Sequence, residues 1–237
     1  MPKLGMEPLR RRQLIEATID CIHEMGFAAT TLQAIGRRAG LSTGLVAHYF
    51  RDKNGLLEAT LRHLASDLGR TLARRQGEAC TPRERLLAVI GANLEPKQFD
   101  PRIAKVWLAF WGQAPHAPQL KRIQRIYERR LLSNLREGFG PLLPADQVQE
   151  ASVAMAAVID GLWLRAALSE EPANAAAAQD LARRFLDQQL AASRGDKAQG
   201  DKAQGNKAQG NKAGDNKVRG NKVRGNKVRG NKERRYG

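Results

Sequence analysis

Apolar and polar positions follow a helical period through residues 31–57. Leu32, Ile35 and Ala39 recur at the spacing i, i+3 and i+7, which predicts a short helix with one apolar face. Gly40 stands directly after this face, where a left-handed helix stop is expected. The pattern therefore predicts a short helix that ends in a tight turn.

A second short helix follows the turn. Ser42 is a ready N-cap for it, and Val46 and Phe50, four residues apart, face the core. The outward positions carry small, hydroxyl and aromatic side chains without a carboxylate: Thr43, Gly44, Leu45, Ala47, His48 and Tyr49. A third helix begins at once near Lys53. Two short helices in this order predict a helix-turn-helix, whose second helix enters the DNA major groove.

The residues around the second helix supply phosphate-binding groups. Thr31 can cap the first helix, while Arg51, Lys53 and the amide groups that open the third helix form a rim of donors. We therefore expect DNA contacts from Thr31, Ser42, Thr43, Gly44, Leu45, Ala47, His48, Tyr49 and Lys53. The competing interpretation is an ordinary helical hairpin without a DNA-binding role.

The rest of the chain also has a helical pattern. The apolar positions and the prolines that bracket breaks predict helices at 10–25, 53–76, from Pro82, and at 119–137, 145–169 and 174–192, with breaks at 96–101 and 115–118. In the first of these, Leu14, Ala17, Ile22 and Met25 are expected to face inward. No alternating strand pattern is present, so the predicted fold class is all-α.

All the tryptophans lie in two of the predicted helices. Trp107 and Trp111 are one turn apart, which stacks two indoles on one face, and Asp160 shares a face with Trp163. One interpretation is that these residues form core or a subunit interface. The other is an aromatic box that holds a quaternary ammonium by cation–π attraction, built from Trp107, Phe110, Trp111, Tyr127, Asp160 and Trp163. Sequence spacing does not decide between them.

The net charge of +16 is unevenly distributed. Residues 194–237 repeat a pentad such as GDKAQ or GNKVR and hold 14 of the 40 Lys and Arg residues. We therefore divide the chain into a helix-turn-helix domain at 1–52, a helical ligand-binding and dimerisation domain at 53–193, and a basic tail at 194–237. The tail is expected to be a disordered extension, or a tether with sequence-independent affinity for DNA.

Catalysis and metal binding are not expected from this sequence. The four histidines are scattered, the two cysteines lack metal-ligand or disulfide spacing, and no phosphate-binding glycine loop is present. No uninterrupted run of about 18 apolar residues suggests a membrane span. We expect a cytoplasmic, non-enzymatic protein without a cofactor.

The helix-turn-helix pattern AGLSTGLVAHYFRDKNGL resembles the N-terminal domain of TetR-family repressors. The opening MPKLGMEPLRRRQLIEATI and the WLAFW and VIDGLWLR segments extend the resemblance over residues 1–192, toward the choline-responsive repressors of that family. Ala47 departs from the pattern, since such repressors are expected to carry a serine there. The repeat tail has no counterpart in it.

The resemblance implies a homodimer whose last two long helices form a four-helix bundle. It implies a palindromic double-stranded DNA operator, repression of choline uptake and oxidation genes, and release by choline or betaine aldehyde. Three alternatives stay open: a repressor that responds to another cationic or aromatic small molecule, an architectural DNA binder that acts through the basic tail, and a helical enzyme.

Overall fold

The computed structural model describes residues 6–193, and every regular element in that range is a helix, which confirms the all-α prediction. In chain order they are α1 (Met6–Ala29), α2 (Leu32–Ala39), α3 (Thr43–Phe50), α4 (Lys53–Gly77), α5 (Pro82–Asn93), α6 (Pro101–Gln113), α7 (Pro118–Phe139), α8 (Ala145–Leu168) and α9 (175–193), with a 3₁₀ helix at Pro96–Phe99. The predicted tail at 194–237 lies outside the described residues.

The described residues up to Gln189 form one compact unit. A second unit begins at Leu190, and only its first residues, 190–193 at the end of α9, are described. The division of the folded chain at residue 52 stays a prediction.

Local sequence signals set the helix starts. Pro82, Pro101 and Pro118 each occupy the first position of a helix, where a missing N–H costs no hydrogen bond. Thr81 and Glu84 form a reciprocal capping box at the start of α5, in which each side chain accepts a backbone N–H. The breaks predicted from the prolines are therefore confirmed.

Helix α1 begins earlier than predicted, because it extends back to Met6. Its predicted end at Met25 is confirmed, since Gly26, with φ 75° and ψ 164°, is not helical and separates a short last turn from the rest. The inward position predicted for Met25 is wrong, because this side chain is 43% exposed. The buried positions of α1 end at Ile22, one turn before the break.

The first three helices and the start of α4, called the reader below, share one apolar core. Its buried members come from all four helices: Leu14, Ala17, Cys21, Ile35, Val46, Phe50 and Leu56. Because α4 supplies Leu56 here and Leu68 to a cavity further along, one rigid helix connects the reader to the rest of the fold.

The turn between α2 and α3 depends on a close backbone approach at Gly36. Leu41 N donates to Gly36 O at 2.8 Å, and Gly40 closes α2 in the left-handed conformation with φ 66°. A Cβ at position 36 would lie 2.8 Å from Leu41 O and 3.2 Å from Val46 Cγ2. A side chain at this position would therefore push α2 and α3 apart.

Helix α8 is the one helix within residues 6–193 that could cross a membrane, judged by length and composition alone. It also carries Asp160 and Arg165, and it buries Met155 and Trp163 within the single chain. Much of its apolar surface is uncovered, with Val153 48% exposed. An apolar surface of this kind is typical of a helix that meets another molecule.

We expect Gly36→Ala to destabilise the protein by roughly 1–3 kcal/mol, the usual cost of forcing extra atoms into a packed site. Gly44→Ala is the matched control, because a Cβ on Gly44 meets nothing within 4 Å. Thermal unfolding of both variants tests this. Equal midpoints for the two variants would contradict the close approach.

Candidate functional site

Helix α3 presents the outward face that the sequence predicts for a DNA reader. Ser42 Oγ accepts a hydrogen bond from Leu45 N at 3.2 Å and fixes the start of the helix. Val46 and Phe50 are buried in the core beneath it. Thr43, Gly44 and His48 are exposed, whereas Leu45, Ala47 and Tyr49 are half-buried.

Tyr49 belongs partly to the core rather than wholly to the outer face. Its ring packs against the reader core and meets His48 edge-on, with 5.5 Å between ring centroids. The Arg11 guanidinium lies 4.8 Å from the Phe50 ring centroid and 6.0 Å from that of Tyr49. Arg11, which the sequence pattern did not single out, thus holds an aromatic pair at the edge of the reader.

Lys53 is bound within the protein. Its Nζ donates to Phe27 O at 2.6 Å and to Ala28 O at 3.1 Å, and it lies 4.3 Å from the Phe27 ring centroid. Burial lowers the pKa of the Lys53 ammonium. The side chain therefore ties the end of α1 to the start of α4, and its expected phosphate contact stays a prediction.

The backbone N–H groups at the start of α4 already have a carboxylate of the same chain beside them. Asp52 Oδ1 accepts from Gly55 N at 2.7 Å, so a phosphate at these amides would meet a negative charge. Arg51 precedes it with φ 61° and ψ −60°, and Asp52 N donates to Phe50 O across this tight turn. This conformation is rare for a residue with a side chain, and it occurs at the turn between α3 and α4.

A second candidate site is a cavity among the helices that follow the reader. Residues from α4 to α8 line it: Leu68, Asn93, Gln98, Trp107, Trp111, Tyr127, Ile159, Asp160 and Trp163. Of the residues predicted for a ligand box, Phe110 alone is not among them. Its fully buried ring packs edge-on against Trp107, with centroids 5.8 Å apart, and supports the cavity from behind.

The cavity rings pair between helices rather than along one helix. Trp111 meets Trp163 with ring centroids 5.0 Å apart and planes at 77°, and Trp107 meets Tyr127 at 5.5 Å. The expected stacking of Trp107 on Trp111 is thus replaced by two separate pairs. Both pairs line the same cavity because α6 supplies one tryptophan to each of them.

Hydrogen bonds hold two of these rings in place. Trp163 Nε1 donates to Gln98 O at 2.9 Å, and Tyr127 OH donates to Asn93 Oδ1 at 3.2 Å. Trp111 Nε1 is buried and has no partner among the described residues. One residue of the cavity wall therefore has a buried N–H donor without an acceptor.

Asp160 is the acidic group of the cavity. It takes part in no ion pair within the described part of the chain, residues 6–193. Burial, and next the charge of Glu128, raise the pKa of Asp160 to about 6, and burial likewise raises that of Tyr127. A carboxylate without a cation, surrounded by aromatic rings, suits a positively charged ligand.

Sequence reasoning missed several residues that line the cavity. Asn93 carried a signal, because an amide at the end of the apolar stretch LLAVIGAN points to a buried polar role. Gln98 contributes its backbone carbonyl to Trp163, a group that every residue has. Leu68 and Ile159 are ordinary core residues by pattern.

The cavity is small. The space open to the centres of water molecules is about 20 Å³. A single water needs about 10–15 Å³ by the same measure. A ligand larger than water must therefore displace side chains or helices.

These features define the class of the protein. A capped helix-turn-helix with an exposed second helix, joined to a helical bundle, is the architecture of a helix-turn-helix transcriptional regulator.

Comparison with known proteins gives the family. Residues 14–60 match the model of bacterial regulatory proteins of the TetR family, and residues 82–191 match that of the BetI-type transcriptional repressor C-terminal domain. The HTH-type transcriptional regulator BetI of Burkholderia mallei (strain NCTC 10229) is 50% identical over 192 residues, which cover 81% of this chain and 98% of that protein. The chain belongs to the BetI-type repressors of the TetR family. It is a transcriptional repressor and not an enzyme.

Further relatives agree with this assignment. The BetI regulator of Escherichia coli (strain K12 / DH10B) is 50% identical over 195 residues, covering 80% of this chain and 98% of that protein. A solved regulator from Pseudomonas aeruginosa PAO1 has a TM-score of 0.69 at 26% identity, over 79% of this chain and 93% of its own. A regulator from Saccharomonospora viridis, solved with choline, shares the fold at TM-score 0.67 and 18% identity, over 76% and 97%.

Regulators of this family bind DNA operators, usually as dimers, and respond to small-molecule effectors.

We expect His48→Ala to weaken operator binding without changing the thermal midpoint, because His48 is exposed and contacts only its neighbour Tyr49 among the aromatic side chains described.

Lys53→Ala should weaken operator binding and also destabilise the fold by roughly 1–3 kcal/mol, because two carbonyls lose a charged donor.

Thermal unfolding and operator titrations at several salt concentrations separate the two effects. If Lys53 also contacts a phosphate, Lys53→Ala lowers the salt slope by about one unit. An unchanged midpoint for this variant would show that its bonds to α1 contribute nothing to stability.

Proposed function

We propose that this repressor controls genes for choline uptake and for choline oxidation to glycine betaine, and that choline or betaine aldehyde releases it from DNA. The observation that carries the proposal is the grouping of Asp160 with three tryptophans around one cavity. A quaternary ammonium has no N–H to donate, so aromatic faces and a carboxylate are the groups that hold it. The BetI name of its relatives and the choline-bound regulator of the same fold make choline the first compound to test.

The aromatic contacts are strong enough for a metabolite sensor. Each cation–π contact contributes about 0.5–2 kcal/mol, so a few of them give weak, reversible binding. Asp160 adds attraction in a site that is largely shielded from water. Such a site responds to changes in metabolite concentration rather than retaining its ligand.

The free N–H of Trp111 favours an effector that carries an oxygen near its ammonium. The hydroxyl of choline or the carbonyl of betaine aldehyde accepts such a bond. Glycine betaine instead carries a carboxylate, which the charges of Asp160 and Glu128 disfavour. We therefore rank choline and betaine aldehyde above glycine betaine as effectors.

Helix α6 gives the cavity a physical connection to the reader. It carries Trp107 and Trp111 in the cavity wall and also packs along α1. Arg102 Nη1 lies 2.9 Å from Asp20 Oδ1, and Lys105 Nζ donates to His23 O at 2.7 Å. A ligand that widens this small cavity would displace α6, and these contacts would pass the displacement to α1.

The same carboxylate of α1 also holds the helix-turn-helix. Arg38 on α2 donates from Nε to Asp20 Oδ2 at 3.3 Å and from Nη1 to Glu24 at 2.6 Å. Asp20 therefore joins a side chain of α6 to one of α2. This branched ion pair supports coupling between ligand binding and the position of the reader.

A homodimer would present two reader helices to one operator. The uncovered apolar surface of α8, which includes Val153, and the exposed Leu181 on α9 favour pairing of these helices between two copies. Two reader helices then meet a palindromic operator in successive major grooves if their centres are about 34–36 Å apart. Such a regulator acts in the cytoplasm, where its DNA lies.

We expect choline to dissociate the operator complex. The affinity of the protein for choline should fall about tenfold between pH 7 and pH 5, because ionised Asp160 becomes the minor form below a pKa of about 6. The uncharged carbon isostere 3,3-dimethylbutan-1-ol should bind more weakly at every pH. Asp160→Asn should remove the pH dependence and reduce the preference for choline over this isostere to the part that the aromatic faces supply. Fluorescence-anisotropy titration of a labelled promoter fragment measures each effect.

Asp160→Asn should also stabilise the ligand-free protein at neutral pH. The folded pKa of this carboxyl is raised above 3.8, so its ionisation lowers stability as pH rises from about 4 to 6. Glu150→Gln, an exposed change on the same helix, is the matched control and should alter neither property. Release by choline and by the isostere at equal concentrations would contradict the cation site.

We expect Arg102→Gln to reduce the factor by which choline weakens operator binding by about two- to fivefold, the range that a partly exposed ion pair contributes. The separate affinities for choline and for operator should change much less. Arg83→Gln breaks another pair between helices, Arg83–Asp187, which does not involve the reader, and serves as control. Equal coupling in the two variants would contradict a role for Asp20 and Arg102.

A further inference from the structure

A second, larger opening lies beside the aromatic cavity. It is a groove between α4 and α7 with a volume of about 480 Å³, many times the space inside the cavity. Leucine and isoleucine side chains form much of its wall: Leu68, Leu72, Ile123, Ile126 and Leu131. Its chemistry therefore suits an apolar chain rather than a small polar molecule.

The groove and the cavity share a wall. Leu68, Asn93 and Tyr127 line both of them. The Tyr127 hydroxyl reaches Asn93 at 3.2 Å, which is longer than the usual 2.7–2.8 Å or so for such a bond. Rotation of this ring would break one long hydrogen bond and the ring contact with Trp107, and it would open the wall that the two spaces share.

The two spaces differ in charge. Asp160 lies in the cavity, whereas the groove is lined by Arg62 and Arg130. Arg62 is paired with Glu58, and Arg130 makes no ion pair within residues 6–193. A cationic group is therefore attracted to the inner end and repelled from the outer one, so a ligand that spans both has a defined direction.

We propose that the cavity and the groove are two halves of one elongated ligand site, for a molecule with a quaternary ammonium head, an apolar stem and a neutral or anionic outer end. The head lies against Asp160 and the tryptophans, as in the function proposed above, on which this inference rests. The stem passes Tyr127 and lies along the leucines and isoleucines of the groove. An anionic outer end meets Arg130.

The test is a series of alkyltrimethylammonium ions from ethyl to octyl, measured by calorimetry on the full-length protein. Each methylene that enters the groove should tighten binding about fourfold, the factor expected for one buried CH₂. The gain should begin once the stem is long enough to pass Tyr127. A terminal carboxylate on the octyl chain should bind more tightly than a methyl end, and Arg130→Gln should remove that advantage.

Filling the groove gives the decisive variant. Gly69 lies on α4 in the groove wall, and a Cβ there meets nothing within 4 Å, so we expect Gly69→Leu to place its side chain in the groove. It should leave choline affinity unchanged and abolish the gain with chain length. Gly77→Leu, also free of contacts but outside the groove, is the matched control and should retain the gain.

The outcomes separate the two proposals. If choline binds but affinity does not rise with chain length, the elongated site is wrong and the proposed function stands. If affinity rises equally in Gly69→Leu and the parent protein, the chains bind elsewhere, for example on α8, and the inference is also overturned. If longer chains bind through the groove while choline has no effect, the elongated site is supported and the proposed choline response fails.

Discussion

Helix α6 lines the aromatic cavity and also packs on α1, and the rest of the structure depends on this double constraint. Trp107 and Trp111 form part of a cavity wall, while Arg102 and Lys105 hold α1 of the reader. The helix has 13 residues, so it is about 20 Å long and joins the two surfaces through one continuous element. In the function proposed above, a change of cavity shape and a change of reader position therefore both involve α6. Asp20 extends this connection, because it also binds Arg38 of the helix-turn-helix.

The cavity combines features that disfavour the empty state. Asp160 is ionised at neutral pH against the effect of burial, and Trp111 holds a buried N–H without a partner. Each such group lowers the stability of the folded protein, because burial removes its contact with water. In the function proposed above, a cation with a nearby oxygen supplies both missing partners. The binding energy of such a ligand would then be available to widen a small space, which is what the proposed release from DNA requires.

The reader shows how polar side chains are shared between folding and recognition. Ser42, Asp52 and Thr31 each accept a hydrogen bond from a backbone N–H at the start of a helix. Lys53 donates hydrogen bonds to backbone carbonyls at the end of another helix. Short helices have a large share of unpaired backbone groups, so nearby hydroxyls, carboxylates and ammonium groups are used to satisfy them. Residues left without such a task, such as Thr43 and His48, are the ones whose exposure suits contact with DNA.

The sequence by itself determined the helices, their caps and the reader motif, because these depend on neighbours within a few residues. Proline starts, the glycine stop at Gly40 and the period of the apolar positions act locally. Tertiary structure alone decided which aromatic residues meet. The sequence brought Trp107 and Trp111 together as residues one turn apart, but partners from α7 and α8 separate them into two pairs, and Phe110 turns into the core. The engagement of Lys53 with α1 and the size of the cavity likewise depend on how distant helices pack, which no local pattern records.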